Sequence, residues 1–284
     1  MTTARRYTLT ISCPDRSGII AAVSGFIAQH QGWIVEASYH TDPETQRFFM
    51  RQEILADSLP FDLDEFNAKF STLADAFGMD SRISDSAQKK RLVILVSKQD
   101  HCLNDLLHRW RSGELEVDIP CVISNHGDLR SFVEWHGIPF HHVDFSDKPA
   151  AFKNIAALFE QHRGDTLVLA RFMQIMPPEL CEHYLGRIIN IHHSFLPSFV
   201  GAKPYHQAYL RGVKLIGATC HYVTAELDAG PIIEQDTVRI DHGDSVDDMV
   251  RYGRDIEKNV LARGLRYHVE DRVLVCGNKT IVFR

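Results

Sequence analysis

The chain has 284 residues, 44% of them hydrophobic, which is enough for one large or two modest domains with ordinary cores and excludes a disordered polymer. Its formal charge is −6 with the 31 Lys and Arg residues dispersed, so it lacks the basic footprint that a nucleic-acid backbone requires. The six scattered cysteines form no CxxC pair, and no window has the roughly 18 apolar residues of a spanning helix, which points to a reduced, cytoplasmic protein with no membrane partner.

Along the chain, "YTLTIS" (Tyr7 to Ser12) alternates like a half-buried strand, and "CPDRSG" punctuates it. In "IIAAVSGFIAQHQ" the apolar residues Ile19, Ile20, Val23, Phe26 and Ile27 recur at helical spacing. "WIVEASYH" and "RFFMRQEIL" read as a hairpin around "TDPETQ". "DLDEFNAKFSTLADAFG" has an acidic start and a terminal glycine, as a helix should, and "MDSRIS" supplies a closing strand. This β-α-β-β-α-β order over residues 1–85 predicts a ferredoxin-like domain. Residues 86–90 are expected to be a linker, with a second domain over 91–284.

From Arg91 the rhythm changes. "RLVILVS", "DIPCVIS", "IPFHHVDF", "GDTLVLARF" and "GRIINIHH" are short apolar strands alternating with helical stretches, the pattern of an α/β, Rossmann-like, mostly parallel sheet covered on both faces. Ligands of such sheets bind outside the carboxyl ends of the strands. The last of these strands places its polar residues there. Asn190 and His192 are two apart, so a strand points them to one face and His193 to the other. Further on, "LIGATCHYV" and "PIIEQDTVRI" read as paired strands joined by "TAELDAG", which carries Asp228 beside Gly230 and Pro231.

Each of these polar residues has a bland reading: a satisfied core amide, a strand cap, a turn aspartate. Together they suggest attack on a carbonyl with no protein nucleophile, because the chain has no G-x-S-x-G and Ser194 merely follows His193. Asn190 would donate to the developing oxyanion, His192 would stabilise or protonate it, and Asp228 would orient the imidazole and relay the proton. His192, His193, His206 and His221 also permit a zinc reading, but no H-E-x-x-H or similar spacing supports it, and no metal is expected.

"NIHHSFLPSFVGAKPYHQAYLRGVKLIGATCHYVTAELDAGPII" resembles the formyltransferase-fold signature. With "DRSG", "RFFMRQE", "HCLNDLL" and the double histidine, the chain resembles the formyltetrahydrofolate deformylase family almost end to end. That resemblance implies an N-terminal ACT domain, a module that commonly pairs and binds a small amino acid, and a folate-dependent catalytic domain. It implies Asn190, His192 and Asp228 as the catalytic trio, and hydrolysis of 10-formyltetrahydrofolate to formate and tetrahydrofolate without a cofactor. Formate for purine synthesis and a balanced folate pool would be the outcome. "LARFMQIM" matches the folate loop, so Leu169, Arg171, Phe172, Met173 and Met176 are expected at the substrate, with Thr224, Glu226 and Gly230 closing the pocket.

In the nucleotide-precursor transferases of this fold, a Gly-rich loop after the first strand holds the phosphate of the amine acceptor. Here the stretch is "SKQDHCLND", without glycine, which favours water as acceptor. The relative that formylates initiator transfer RNA carries a further basic domain, whereas this chain's balance is acidic. A sugar-nucleotide formyltransferase and a non-catalytic sensor are the other readings. At the N-terminal domain, Asp15, Gly18 and Ile19 are expected to contact a small amino-acid effector at a helix N-terminus, with ordinary capping by Asp15 or Ser17 as the alternative. A homodimer or homotetramer follows from ACT pairing.

Overall fold

The computed structural model describes residues 4–198 and 204–284. Residues of the "GAKPYHQ" motif numbered 201–203 lie outside these. The chain divides into two compact units, the first ending at Lys89 and the second beginning at Lys90.

The first unit runs β1 (Arg6–Pro14), α1 (Ile19–Gln29), β2 (Ile34–Asp42), β3 (Arg47–Leu55), α2 (Leu63–Phe77) and β4 (Asp80–Asp85). Its sheet has the order β2-β3-β1-β4 and is antiparallel throughout, the ferredoxin-like arrangement expected from the element order. Tyr7, Leu9, Ile11 and Cys13 alternate inward from β1 onto Ile19, Val23 and Ile27 of α1 and Phe66 and Phe70 of α2. The Asp62 side chain caps α2 by accepting from the Glu65 N–H, and Gly78 ends it in the left-handed region.

The domain boundary differs at the other end. Glu270–Cys276 and Thr280–Arg284, expected in the second domain, group with the first unit. They include β12 (Val273–Cys276) and all but the first residue of its hairpin partner β13 (Lys279–Val282). The reason lies in β3, whose interior is buried on both faces. Phe48, Met50 and Ile54 face the helices, whereas Phe49 packs with Leu274, Cys276 and Phe283. On that same face Arg51, 2% exposed, donates to Glu53 at 2.6 Å and to the Glu270 carbonyl at 2.9 Å.

The second unit is a seven-stranded sheet in the order β11-β10-β9-β8-β5-β6-β7. Strands β5 (Arg91–Val96), β6 (Asp118–Ser124), β7 (Phe140–His142), β8 (Thr166–Leu169) and β9 (Ile188–His192) are parallel, and β10 (Leu215–Tyr222) and β11 (Ile232–Arg239) are antiparallel additions at one edge. Its helices are α3 (His101–Ser112), α4 (Arg130–Trp135), α5 (Lys148–Gln161), α6 (Pro178–His183), α7 (Pro204–Arg211) and the long α8 (Val246–Val269). The chain builds outward from β5 through β6 to β7, then returns to start β8 on the other side of β5. A strand-order reversal of this kind opens a crevice at the carboxyl ends of β5 and β8, and β9 ends beside it.

Candidate active site

Strand β9 lies between β8 and β10, and its pairing sets the site. Asn190 stands opposite His221, and His192 opposite Thr219. Directly paired residues project to one side of a sheet, so these four side chains share a face. Thr219 uses all its capacity to hold the loop after β9: its Oγ1 donates to the Ser194 carbonyl at 2.9 Å and accepts from Leu196 N at 3.1 Å and Gln235 Nε2 at 2.9 Å.

The tautomer of His221 follows from its partners. Nδ1 lies 2.8 Å from the Tyr222 carbonyl, which can only accept, so Nδ1 carries the proton. Burial lowers the pKa of this imidazole and keeps it neutral, so Nε2 is a lone pair. Asn190 Nδ2, 3.2 Å from that Nε2, must therefore donate to it. The amide is thereby oriented, with a second N–H left to offer a ligand. Sequence reasoning weighed His221 only as a metal ligand; its place opposite Asn190 in the strand pairing is the signal that identifies it.

Asp228 comes from the turn between β10 and β11. Its φ is +54°, a left-handed conformation that aspartate tolerates. Gly230 is required nearby, because a Cβ there would sit 1.9 Å from the Tyr222 carbonyl oxygen. This places Asp228 Oδ2 3.4 Å from His192 Nδ1 and Oδ1 3.9 Å from His221 Nε2. Burial alone would raise the carboxyl's pKa, but the His192 contact and the surrounding imidazoles outweigh it and hold the group below its ordinary value. With Nδ1 turned to a carboxylate, His192 presents Nε2, which is buried and meets no hydrogen-bond partner among the described residues. A buried polar atom of this kind costs stability unless a ligand completes it.

Behind the trio lies a buried ionic group that the sequence reading did not anticipate. Glu257 of α8, 1% exposed, contacts His101 Nε2 at 2.8 Å, accepts from the Tyr205 hydroxyl at 2.8 Å and lies 3.4 Å from Arg171 Nε. Gly253, one turn earlier, lets Tyr205 in: a Cβ there would lie 1.9 Å from the phenolic oxygen. His193 follows the end of β9 and turns toward this group, its ring 5.3 Å from that of His192 and 6.0 Å from that of Tyr205. Burial first, and then the Arg171 cation, press its pKa down to about 4.

The expected folate residues divide. Leu169, Phe172 and Met176 are core, Phe172 packing on Phe145, so only their backbones remain to meet a ligand. Arg171 turns its guanidinium inward to Gln99 and Glu257, while Met173 is 55% exposed. Thr224 is half-buried and donates to the Glu226 carbonyl; Glu226 is exposed and Gly230 buried. In the glycine-free stretch after β5, Ser97 donates to Asn125 at 2.7 Å and accepts from Met173 N, and Gln99 accepts from Arg171. These side chains tie the stretch to the end of β6 and to the segment after β8. Among the described residues, His192, His193, His206 and His221 do not converge as a ligand set.

In the first unit, Gly18 is the N-cap of α1, in the left-handed region, and no side chain caps the helix. Capping by Asp15 or Ser17 is therefore not the local structure. Asp15 N instead donates to the Gln46 carbonyl.

A formyl transferase family model matches residues 90–265, the segment that contains the whole trio. A curated relative from Corynebacterium sp. (strain P-1), named formyltetrahydrofolate deformylase, is 47% identical over 281 residues, which is 98% of each chain. The chain belongs to the formyltetrahydrofolate deformylase family. The crystal structure of a deformylase from Pseudomonas syringae pv. tomato superposes with a TM-score of 0.98 at 64% identity, over 100% of this chain and 96% of that one. A phosphoribosylglycinamide formyltransferase from Anaplasma phagocytophilum matches 69% of this chain and 96% of its own, with 31% identity and a TM-score of 0.64. Deformylase and transferase thus share a fold over part of this chain, and what separates them has to be sought in residues.

Proposed function

We infer that the chain is a hydrolase that converts 10-formyltetrahydrofolate to formate and tetrahydrofolate, with Asn190, His192 and Asp228 as its catalytic residues. The observation that carries the site assignment is the partnerless His192 Nε2 beside an amide whose free N–H is oriented by His221. Water adds its oxygen to the formyl carbon and its proton passes to the His192–Asp228 pair. The carbonyl oxygen becomes an oxyanion that accepts from the Asn190 Nδ2–H and from the protonated imidazole. On collapse the C–N10 bond breaks, N10 takes the proton, and formic acid ionises in solution. Oxyanion donation and acid–base catalysis each contribute on the order of a hundredfold or more. No step calls for a metal or redox cofactor.

Backbone groups of 169–176, the exposed Met173 and the turn with Thr224, Glu226 and Gly230 form the folate contacts in this reading. The uncapped start of α1, with Asp15, Gly18 and Ile19, is the place for a small amino-acid effector, and pairing of first units gives a dimer or tetramer. No helix among the described residues is long and apolar enough to cross a membrane. The cytoplasm, a role in supplying formate, and the absence of nucleic-acid partners complete the proposal.

The test is to incubate chelator-treated protein with 10-formyltetrahydrofolate and no added amine. Stoichiometric formate and tetrahydrofolate are expected, and are expected to be lost in Asp228→Asn. Formate released only after an amine is supplied would make the chain a transferase. For the effector, calorimetry against the twenty amino acids should show heat for at least one; none would leave the first unit a structural role.

A further inference from the structure

At the sheet edge opposite β11, the fold gathers a thiol and two imidazoles that the reaction does not use. Cys121 lies within β6, His141 on the edge strand β7, and His162 caps the carboxyl end of α5. The pairing of Ile123 with His141 puts both on one face of the sheet, and Cys121, two residues before Ile123, shares it. Helix α5 packs Ile155 and Phe159 on that same face, against Cys121, which delivers His162 to the group. The ligand atoms of all three residues lie within 4.8 Å of one another. Cys121 is fully buried and the two histidines half-buried, so one side of the group is open to solvent.

The contact between the histidines is Nε2 to Nε2, at 3.1 Å. In a tetrahedral zinc centre with Zn–N bonds of about 2.05 Å, two coordinated nitrogens stand about 3.3 Å apart. Bringing the sulfur onto the same centre takes a movement on the order of an ångström. The three donors are a thiol and two imidazoles with no carboxylate, a set that suits zinc-like ions rather than magnesium or calcium. The nearby Arg130 guanidinium is occupied by Glu134 and the Phe140 carbonyl.

We propose that Cys121 Sγ, His141 Nε2 and His162 Nε2 bind one Zn²⁺-class ion per chain, with water in the fourth position. Binding releases the Cys121 thiol proton to solvent as the metal–sulfur bond forms; the imidazoles bind neutral, with their protons on Nδ1, and no electrons move. The ion ties edge strand β7 to the end of α5. Three strand spacings separate β6 from β9, about 14 Å, so the site is independent of the catalytic trio.

The test is a Co²⁺ titration of the full-length, chelator-treated protein. One equivalent should produce a near-ultraviolet sulfur-to-cobalt charge-transfer band with intense visible bands of four-coordinate Co²⁺, and Zn²⁺ should abolish both. Cys121→Ser should lose the sulfur band, and His162→Gln, at a half-exposed helix end, should weaken binding roughly tenfold or more. Zn²⁺ should raise the Tm of the unmodified chain and not that of His162→Gln, while hydrolysis by the chelated protein is unchanged. Absence of a sulfur band in the unmodified chain overturns the proposal. So does a band that survives Cys121→Ser and disappears in Cys102→Ser, which would place the metal at His101, Cys102 and Glu257.

Discussion

In the proposed mechanism Asp228 and Asn190 act on different parts of the reaction, so their replacements should differ in kind. Asp228→Asn removes the charge that holds His192 Nδ1 and should lower kcat by roughly 10²–10⁴. Asn190→Ala removes an oxyanion donor and should cost about 10²–10³ in kcat, with KM little changed, by steady-state kinetics on formate release. His193 gives a pH signature instead. Its folded pKa, about 4, lies below the ordinary value near 6.5, so across that interval the unfolded chain takes up a proton that the folded chain refuses. Its contribution to stability is therefore full at pH 7 and falls on acidification, by on the order of 3 kcal/mol by pH 4. Arg171, Glu257, His192 and Asp228 surround it, and Glu257 and Asp228 oppose the shift without reversing it. His193→Gln should flatten this part of the pH dependence in denaturant unfolding. Asn190 and His192 are conspicuous in the sequence because polar residues interrupt an apolar strand there, and Asp228 because it stands beside Gly230 and Pro231 in the turn between two strands. The orientation of Asn190 is not legible there, since it depends on which nitrogen of His221 faces a carbonyl. Cys121, His141 and His162 are about twenty residues apart in turn and carry no motif; only the packing of α5 on the sheet brings them together.

At the scale of elements, the β10–β11 turn and α8 support the site. Gly230→Ala would drive a methyl into the Tyr222 carbonyl, and the relief has to come from the turn that carries Asp228. A loss of about 1–3 kcal/mol in unfolding free energy is expected, with about a hundredfold lower activity from misplacement of the carboxylate by an ångström. Glu257→Ala would strand Arg171 in the interior without its carboxylate, and urea unfolding should show a loss of about 3–5 kcal/mol. The elements themselves were readable from periodicity: all the strands read from Tyr7 to Ile240 are present, and the split βαβ order of the first unit follows from them. The Glu257 group was not readable. His101, Arg171, Tyr205 and Glu257 sit on four separate segments; Arg171 is expected at the substrate rather than turned inward to a carboxylate, and nothing in the sequence links the four.

For the molecule as a whole, compactness does not follow chain order: Glu270–Cys276 and Thr280–Arg284 group with the unit that ends at Lys89, and Gly277–Lys279 with the other. The sequence pattern puts residues 270–284 in the second domain without assigning them an element, yet the outward face of β3, with Phe49 and Arg51, is where these last strands are buried. Alternation along "RFFMRQEIL" shows that β3 has two faces, but a single strand does not reveal which distant segment covers the second. Deleting residues 270–284 should expose Phe49 and take from Arg51 its carbonyl acceptor, and thermal unfolding followed by fluorescence of the dye ANS should show a lower Tm with dye binding before the transition. The hairpin also has a meaning for synthesis. A ribosome delivers residues 1–89 early, but the carbonyl of Glu270 and the side chains of Leu274 and Phe283 only after the whole seven-stranded sheet has been translated. The first part of the chain to emerge is thus among the last to be finished, and throughout elongation it presents an unsealed aromatic and cationic sheet face to whatever nascent-chain factors are nearby.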